Sequence, residues 1–312
     1  MNSKPLVSVI LPNYNHALFL PERIESILSQ TYSNLELIIL DDCSSDESVS
    51  VIGKYKDNPK ISHIKINKEN SGSTFIQWNY GFRIAKGEII WIAESDDFCD
   101  PDLLENLVFN YCNNPGCVVA FCSSQYVNEK SETLGSYKFA SYLFKIYDGK
   151  EFIKKRLIYG CAIWNASSAI FSRSVALKIN ADYMDYKACG DKLFWNLISE
   201  HGKVFHLNEC KNYFRQHQNK VSPKKFRDGT SLKEEKAIYD WQIRKGYLKG
   251  LKKLYVKHLF LKKILNNEFS AIEIKNKLLN IWGYNKRLFK WEELLSNMYL
   301  YYYLRVFKQN PV

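Results

Sequence analysis

The chain has 312 residues, of which 46% are hydrophobic and 25% charged, so it can bury a large core and is not globally disordered. No run reaches the ~18 apolar residues of a membrane span, and the N-terminus does not have the pattern of a signal peptide. Basic side chains exceed acidic ones by 44 to 33, and residues 231–312 hold 17 of the basic but only 7 of the acidic ones. The sequence predicts a soluble protein, or one lying on a membrane surface, with a basic C-terminal region.

The first 125 residues alternate short apolar runs with segments of helical periodicity. Strands are predicted at residues 6–12, 35–40, 61–66, 88–93 and 117–123. Most of these runs are rich in Val, Ile and Leu, as expected for strands that helices cover on both faces. Asp100 precedes Pro101, which predicts a capping carboxylate for a helix that begins near Leu103. The alternation predicts an α/β fold with a mixed, mostly parallel sheet flanked by helices.

The alternation weakens after residue 125, and the pattern becomes helical and basic after residue 230. Two further strands and the helix between them are predicted at residues 167–172, 203–207 and 191–202. We therefore predict one α/β domain over residues 1–230, with halves 1–125 and 126–230, and a helical extension over 231–312.

Polar clusters follow three of the predicted strands. They are Asn13-Tyr14-Asn15, Asp41-Asp42 and Glu94-Ser95-Asp96-Asp97. In parallel sheets ligands bind beyond the carboxyl ends of the strands, so the three clusters are expected to share one crevice. Carboxylates gathered there repel each other unless a cation is present, and Mg²⁺ or Mn²⁺ bridging to a phosphorylated ligand suits them. On an extended chain, alternation sends Glu94 and Asp96 to the same side. The alternative is that these acids are turn residues.

Four segments in order resemble family 2 glycosyltransferases of the inverting, nucleotide-sugar-dependent kind, which have a GT-A fold. They are VSVILPNYN, LIILDDCSSD, ENSGS and NYGFRIAKGEIIWIAESDDFCDP. The resemblance covers roughly residues 6–220. It implies that the α/β domain is a GT-A catalytic domain, with a nucleotide-binding first half and an acceptor-binding second half.

The resemblance implies a nucleotide-binding role for the first two clusters. Pro12, Asn13 and Tyr14 match the loop that frames the base, with the Tyr ring available for stacking. Asp42 matches the acid that accepts a hydrogen bond from N3–H of the base, which favours uracil. Cys43 stands where the family usually has Gly. The turn is therefore expected to require a backbone conformation that Gly adopts easily and that a residue with a side chain must tolerate.

The third cluster matches the family's D-x-D metal motif, with one departure. Glu94 stands at the first Asp of the motif, so with Ser95 it is expected to contact the nucleotide, through water or the ribose. Asp96 matches the final Asp, and Asp97 follows it. The resemblance implies that both are metal ligands.

Two downstream segments complete the implied site. CGDKLFWNLISEHG resembles the start of the helix that carries the catalytic base, which makes Asp191 the base; the alternative for Asp191 is an ordinary helix cap. YFRQHQNKVS resembles the family's closing segment. There Arg215 would face the diphosphate and His217 would lie at the metal, although a surface loop is the alternative for His217.

Together these features predict an Mn²⁺- or Mg²⁺-dependent inverting glycosyltransferase that uses a nucleotide sugar, with UDP favoured. Its acceptor would be a glycan or a lipid-linked glycan in surface polysaccharide synthesis. One alternative is a sugar nucleotidyltransferase. That class of enzyme requires a Gly-rich loop with a basic residue after the first strand, and PNYNHALF has neither. The other is a catalytically inactive, carbohydrate-binding GT-A protein, with Glu94 as the lesion.

The basic extension has three interpretations. Seven lysines fall in an acid-free stretch of 19 residues, namely Lys245, Lys249, Lys252, Lys253, Lys257, Lys262 and Lys263. They favour either an anionic membrane surface or a packed helical subdomain with solvated lysines. Nucleic-acid binding would also suit the charge, but no recognised motif supports it and none is expected. A homodimer through NMYLYYYLRVF is compatible with either of the first two.

Eight cysteines without metal-ligand spacing suggest a reducing compartment. We expect a cytoplasmic enzyme, peripheral on the inner face of the cell membrane if the first interpretation holds.

Overall fold

The computed structural model describes residues 4–137, 142–218 and 221–307. Its strands are β1 Val7–Asn13, β2 Leu35–Asp41, β3 Ile61–Ile66, β4 Ile89–Ile92, β5 Phe98–Cys99, β6 Cys117–Val127, β7 Thr133–Tyr137, β8 Phe144–Asp148, β9 Ala169–Ser172 and β10 Lys203–Arg215. Its α-helices are α1 Leu20–Leu28, α2 Ser48–Gly53, α3 Thr74–Ile84, α4 Leu103–Cys112, α5 Gly149–Lys155, α6 Arg173–Ala176, α7 Gly190–Ser199, α8 Val221–Arg227, α9 Thr230–Arg244, α10 Gly250–Asn266, α11 Ile272–Ile281 and α12 Lys286–Phe307.

The strands form one mixed sheet in the order β3-β2-β1-β4-β9-β6-β10-β5, with β7 beside β6 and β8 beside β10. Pairing is parallel from β3 through β2 and β1 to β4, and again between β6 and β10. β9 runs antiparallel between β4 and β6. All residues of β1, β2 and β4 are buried, which explains why their sequences are continuously apolar. The predicted α/β sheet with flanking helices is confirmed.

The strand register brings the predicted polar clusters to one edge of the sheet. β1 and β2 pair so that Asn13 lies opposite Asp41. Beyond β4, the Ala93 amide donates to the Ile10 carbonyl at 2.8 Å. The carboxyl ends of β1, β2 and β4 are therefore neighbours, as the sequence predicts.

Two local predictions are wrong. Asp100 does not cap α4: its carbonyl accepts the Leu103 amide in a preceding turn, and its carboxylate accepts the Tyr213 hydroxyl at 2.9 Å. Residues 94–97 are not extended, because β4 ends at Ile92 and the Asp97 amide turns back to the Glu94 carbonyl at 3.3 Å. Alternation therefore does not decide where the Glu94 and Asp96 side chains point.

The chain folds into two compact units. The first contains the sheet and comprises the described residues within 1–149, 163–185 and 197–218. The second contains α8 to α12 and comprises the described residues within 150–162, 186–196 and 219–312. The first residues of α7 therefore group with the C-terminal helices. The predicted division at residue 230 stays a prediction.

Candidate active site

The loops after β1 and β2 are joined by a buried polar cluster. Asp41 Oδ2 accepts from Asn13 Nδ2 at 2.7 Å and from the Ser44 hydroxyl at 2.6 Å. Pro12 and Asn13 are buried, whereas Tyr14 is 48% exposed. Of the three residues predicted to frame a base, only Tyr14 has an exposed ring, while Asn13 holds the two loops together.

Asp42 lies in a polar pocket built from the segment after β3. Its Oδ1 accepts from Asn67 Nδ2 at 2.7 Å, from the Ser71 amide at 2.9 Å and from Gln77 Nε2 at 2.8 Å. Its Oδ2 accepts from the Ser71 hydroxyl at 2.8 Å. Oδ1 thus has three donors and Oδ2 has one, so Oδ2 has room for a ligand donor. Sequence reasoning missed these partners, although Ser71 lies in the ENSGS segment.

Cys43 adopts the left-handed backbone conformation that its place in the motif requires, with φ of 66°. A side chain at positive φ is strained, so the turn is held by its neighbours rather than by local preference. The Ser44 amide, which donates to Asp41 Oδ1 at 2.9 Å, is one such restraint.

The Asp96 carboxylate lies close to two histidine side chains. His217 Nε2 lies 3.0 Å from Asp96 Oδ2, and the ring of His16 stands at 90° to that of His217 with centroids 5.3 Å apart. One ligand atom from each of His16, Asp96 and His217 lies within 4.8 Å of the other two. Asp96 and His217 were predicted as metal ligands; His16 was missed, although it follows β1 at the same edge of the sheet.

Asp97, the other predicted metal ligand, is fully buried and engaged with protein donors. Its Oδ2 accepts from Asn165 Nδ2 and the Ser167 hydroxyl, both at 2.7 Å, and its Oδ1 accepts from the Arg215 amide at 3.1 Å. Burial and the Asp96 carboxylate raise the pKa of Asp97. The geometry favours Asp97 as the residue that fixes the acidic turn. His16, and not Asp97, is the third candidate metal ligand beside Asp96 and His217.

Glu94 accepts a hydrogen bond from Trp78 Nε1 at 3.0 Å. Desolvation, together with the nearby carboxylates of Asp96 and Asp97, raises the pKa of Glu94 to about 8. The Ser95 hydroxyl lies 2.8 Å from His16 Nδ1. Ser95 is thus a neighbour of the His16 imidazole, and the predicted nucleotide contacts of both residues stay predictions.

Arg215 is buried, and each guanidinium nitrogen donates to the protein. Its Nε donates to the Asp96 carbonyl at 2.8 Å, and Nη2 pairs with Glu22. Its Nη1 donates to the Asn128 and Glu129 carbonyls, both at 3.1 Å. The structure therefore favours Arg215 as a brace for the Asp96 turn, and not as the diphosphate ligand that the resemblance implies.

Asp191 belongs to the second unit, where it is the second residue of α7 and not the residue preceding the helix. Its Oδ1 accepts from the Lys192 amide at 2.8 Å, and the Cys161 thiol lies 4.0 Å from Oδ2. Burial raises the pKa of Asp191 above its usual 3.8, opposed by the adjacent Lys192. A carboxylate with a raised pKa is suited to accept a proton near neutral pH.

The mixed sheet, with an acidic turn at the carboxyl end of β4, is an α/β arrangement of the GT-A type. Residues 8–176, just over half of the chain, match the family model described as Glycosyl transferase family 2. The chain belongs to this family, which leaves the nucleotidyltransferase alternative without support.

Curated relatives agree with this assignment. UDP-Glc:alpha-D-GlcNAc-diphosphoundecaprenol beta-1,3-glucosyltransferase WfaP of Escherichia coli is 31% identical over 226 residues, 72% of this chain and 82% of that protein. The putative teichuronic acid biosynthesis glycosyltransferase TuaG of Bacillus subtilis is 26% identical, over 72% of this chain and 85% of that protein. Other matches are shorter: an uncharacterised glycosyltransferase of Rickettsia typhi is 34% identical over 42% of this chain, and the chain spans only 40% of its length.

Among solved structures, residues 1–349 of S. aureus TarS in complex with UDP-GlcNAc superpose with a TM-score of 0.56 and 20% sequence identity. The match covers 88% of this chain and 72% of that one. At this identity the likeness shows the fold, and it confirms the predicted GT-A architecture.

Proposed function

We propose that the protein is a cation-dependent, inverting glycosyltransferase that transfers a sugar from a UDP-sugar to a glycan or lipid-linked acceptor. The observation that carries the proposal is the His16, Asp96 and His217 cluster at the carboxyl end of the sheet, together with the Asp42 pocket at the end of β2. The WfaP name, which contains UDP-Glc and a diphosphoundecaprenol acceptor, supports both substrate classes. The TuaG name supports a role in surface polysaccharide synthesis.

The donor set fits a divalent cation. Asp96 offers a carboxylate oxygen, and His16 and His217 offer imidazole nitrogens. Carboxylate oxygen suits Mn²⁺ and Mg²⁺ alike, and of the two only Mn²⁺ is a transition metal, the class that binds imidazole nitrogen; we therefore propose Mn²⁺ and assign these three residues as its ligands. A bound cation would neutralise the diphosphate that leaves. Asp97 and Arg215 would keep the Asp96 turn in place.

The proposed reaction is a single displacement at the anomeric carbon. The carboxylate of Asp191 takes the proton of the acceptor hydroxyl, and the acceptor oxygen forms the new glycosidic bond. The bond between the anomeric carbon and the donor phosphate oxygen breaks, and UDP departs with that electron pair. Attack on the face opposite the leaving group inverts the configuration.

Asp42 is proposed to read the base through the second lone pair of Oδ2, with Tyr14 stacking on the ring. We expect Asp42→Ala to weaken UDP binding about ten- to hundredfold, the effect of losing one hydrogen bond to a charged group. Binding of ADP and GDP should change less. Calorimetric titration of the three diphosphates measures the discrimination.

Asp46 supplies a matched control for Asp42. It also accepts backbone amides, from Ala17 at 2.8 Å and Ser48 at 3.0 Å, but it is not proposed to touch the base. Asp46→Ala should leave the preference for UDP unchanged. If Asp42→Ala weakens all three diphosphates equally, Asp42 shapes the loop and does not read the base.

Acids from other helices pair with some lysines of the acid-free stretch, and membrane binding through those lysines stays a prediction. Lys257 pairs with Glu292 at 2.7 Å, and Lys262 pairs with Glu293 at 2.8 Å. Lys252 donates to the Lys154 carbonyl at 2.8 Å. These lysines support a packed helical subdomain. None of the described helices has the length and hydropathy of a bilayer-spanning segment.

A different surface supports peripheral membrane binding. One face of α12 presents apolar side chains that are each more than half exposed, namely Leu288, Trp291, Leu294, Met298 and Tyr301. Their spacing of three or four residues makes a continuous stripe. Lys286, Arg287 and Lys290 are exposed on the first turns of the same helix. An apolar stripe with a Trp and flanking cations matches helices that lie in the interface of an anionic bilayer.

We expect the protein to float with vesicles containing anionic lipid, and Trp291→Ser with Leu294→Ser to reduce partitioning about hundredfold. Each buried side chain of this size contributes ~1.5 kcal/mol or more, so the pair contributes at least ~3 kcal/mol. The matched control is Lys249→Gln with Lys253→Gln, since both lysines are exposed on the neighbouring segment but lie outside the stripe. A protein that does not float, or that dimerises through Trp291 in solution, contradicts membrane docking.

A further inference from the structure

The backbone that leads into α7 is held by one carboxylate from the C-terminal helices. Glu234 of α9 accepts three consecutive amides: its Oε1 accepts from Lys187 at 2.7 Å, and its Oε2 accepts from Ala188 at 2.9 Å and Cys189 at 2.8 Å. Hydrogen bonds from amides to a carboxylate are stronger than neutral ones, and the positive end of the α7 dipole adds to them. Asp191 follows two residues later, so its position depends on this contact.

The next residue of α9 pairs with the residue that follows Asp191. Glu235 is 5% exposed and pairs with Lys192, the residue after Asp191. The other Glu235 oxygen, Oε2, is buried and has no hydrogen-bond partner among the described residues, although Lys263 of α10 lies 3.7 Å away as an ion pair. A buried carboxylate is costly unless it is paired, so Lys192 is held tightly in place beside the predicted base.

We propose that Glu234 and Glu235 are positioning residues for Asp191: Glu234 fixes the backbone that carries the carboxylate, and Glu235 fixes the lysine beside it. The inference rests on the proposed role of Asp191 as the base, and it adds the residues that hold this base in position. It gives the C-terminal helices a part in catalysis that is separate from membrane docking.

The charges around Asp191 determine a specific pH effect. The titratable groups nearby are Lys192, Cys189, Cys161, Glu234, Glu235 and, behind Glu235, Lys263. Burial raises the pKa of Asp191, Lys192 lowers it, and Glu235 raises it. Glu235→Gln removes the effect of Glu235 and frees Lys192 to act on Asp191. The acid limb of kcat/KM, where Asp191 takes up a proton, should therefore move to lower pH.

The decisive experiment is a double-mutant cycle on Glu234 and Asp191. We expect Glu234→Gln to lower kcat for transfer about ten- to hundredfold, the scale of a slightly misplaced catalytic group, with UDP affinity unchanged. In the Asp191→Asn background the same change should have no further effect, because the group it positions is already inactive. Glu268→Gln, an exposed Glu beyond α10, is the matched control and should behave as wild type.

The outcomes separate the two proposals. If Asp191→Asn retains turnover, the proposed base is wrong and the inference falls with it. If Asp191→Asn is inactive but Glu234→Gln is as active as wild type, the inference alone is wrong. Equal losses from Glu234→Gln in both backgrounds, or a fall in thermal stability that accounts for the loss, indicate a structural role and overturn it. If Glu235→Gln does not fold, the double-mutant cycle of Glu234 and Asp191 alone tests the positioning role.

Discussion

Asp96→Ala is expected to abolish sugar transfer and the part of nucleotide affinity that depends on Mn²⁺. Asp96 contributes the one carboxylate of the three-residue cluster, and the two imidazoles bring no negative charge to it. A carboxylate is what offsets the charge of the cation before the diphosphate arrives. Calorimetric titration of Mn²⁺ into the protein, with and without UDP, measures the loss directly.

Asp100→Ala is the matched control for Asp96→Ala. It removes a nearby carboxylate that accepts the Tyr213 hydroxyl and lies outside the cluster. Its Mn²⁺ affinity should equal that of the wild type. Because His16 is assigned as a ligand, His16→Ala should weaken Mn²⁺ binding as well. Undiminished Mn²⁺ dependence of UDP binding in Asp96→Ala would refute the assignment.

Asp191→Asn is expected to lower kcat by about two or more orders of magnitude while donor affinity is kept, since general-base catalysis contributes on this scale. The change is nearly isosteric, so the Lys192 amide still finds an oxygen acceptor. In the wild type, the raised pKa of Asp191 places the acid limb of kcat/KM above the ordinary value of 3.8. Rates fall as the pH drops through that pKa, because the protonated carboxyl accepts no proton.

Steady-state kinetics over a pH series and calorimetry with the donor nucleotide measure the two effects separately. The limb assigned to Asp191 should be absent from the residual activity of Asp191→Asn. Near-normal turnover would place the base elsewhere, and Asp182 and Asp185 would be the next candidates. Both lie in the short 3-10 helix Ala181–Asp185.

The strands of the first half could be predicted because β1, β2 and β4 are buried on both faces and continuously apolar, while the partly exposed β3 alternates apolar and polar residues. The observed bounds of β1, β2 and β3 differ from the prediction by no more than one residue. The antiparallel direction of β9 could not be predicted, because four buried residues look the same in either direction. Its partners, β4 and β6, are set by the tertiary fold.

The site was predictable in its motifs but not in how each side chain is used. The residue types at positions 96, 97 and 215 suggest ligands of a metal or a diphosphate. Only the fold shows that Asp97 bonds to Asn165 and Ser167 and that Arg215 bonds to the Asp96 carbonyl, so both use their hydrogen-bonding groups within the protein. His16 carries no sequence signal for metal binding until the strand register places it beside Asp96.

The basic extension shows the same limit of sequence reasoning. The stretch from Lys245 to Lys263 is free of acids along the chain, and the sequence therefore predicted an unbalanced surface. The balancing carboxylates come from α9 and α12, as in the pairs with Glu235 and Glu292. Pairing between distant helices is a property of the packed bundle, so charge counted along the sequence does not reveal it.

The most direct test of the central claim is release of UDP from a panel of nucleotide sugars, measured with and without Mn²⁺. We predict that at least one UDP-sugar is hydrolysed or transferred when Mn²⁺ is present, and that chelation of Mn²⁺ stops the release of UDP. The Asp96→Ala variant should release no UDP under the same conditions. A folded wild-type protein that neither binds nor cleaves any UDP-sugar in the presence of Mn²⁺ would contradict the account, and would instead support a catalytically inactive, carbohydrate-binding member of the family.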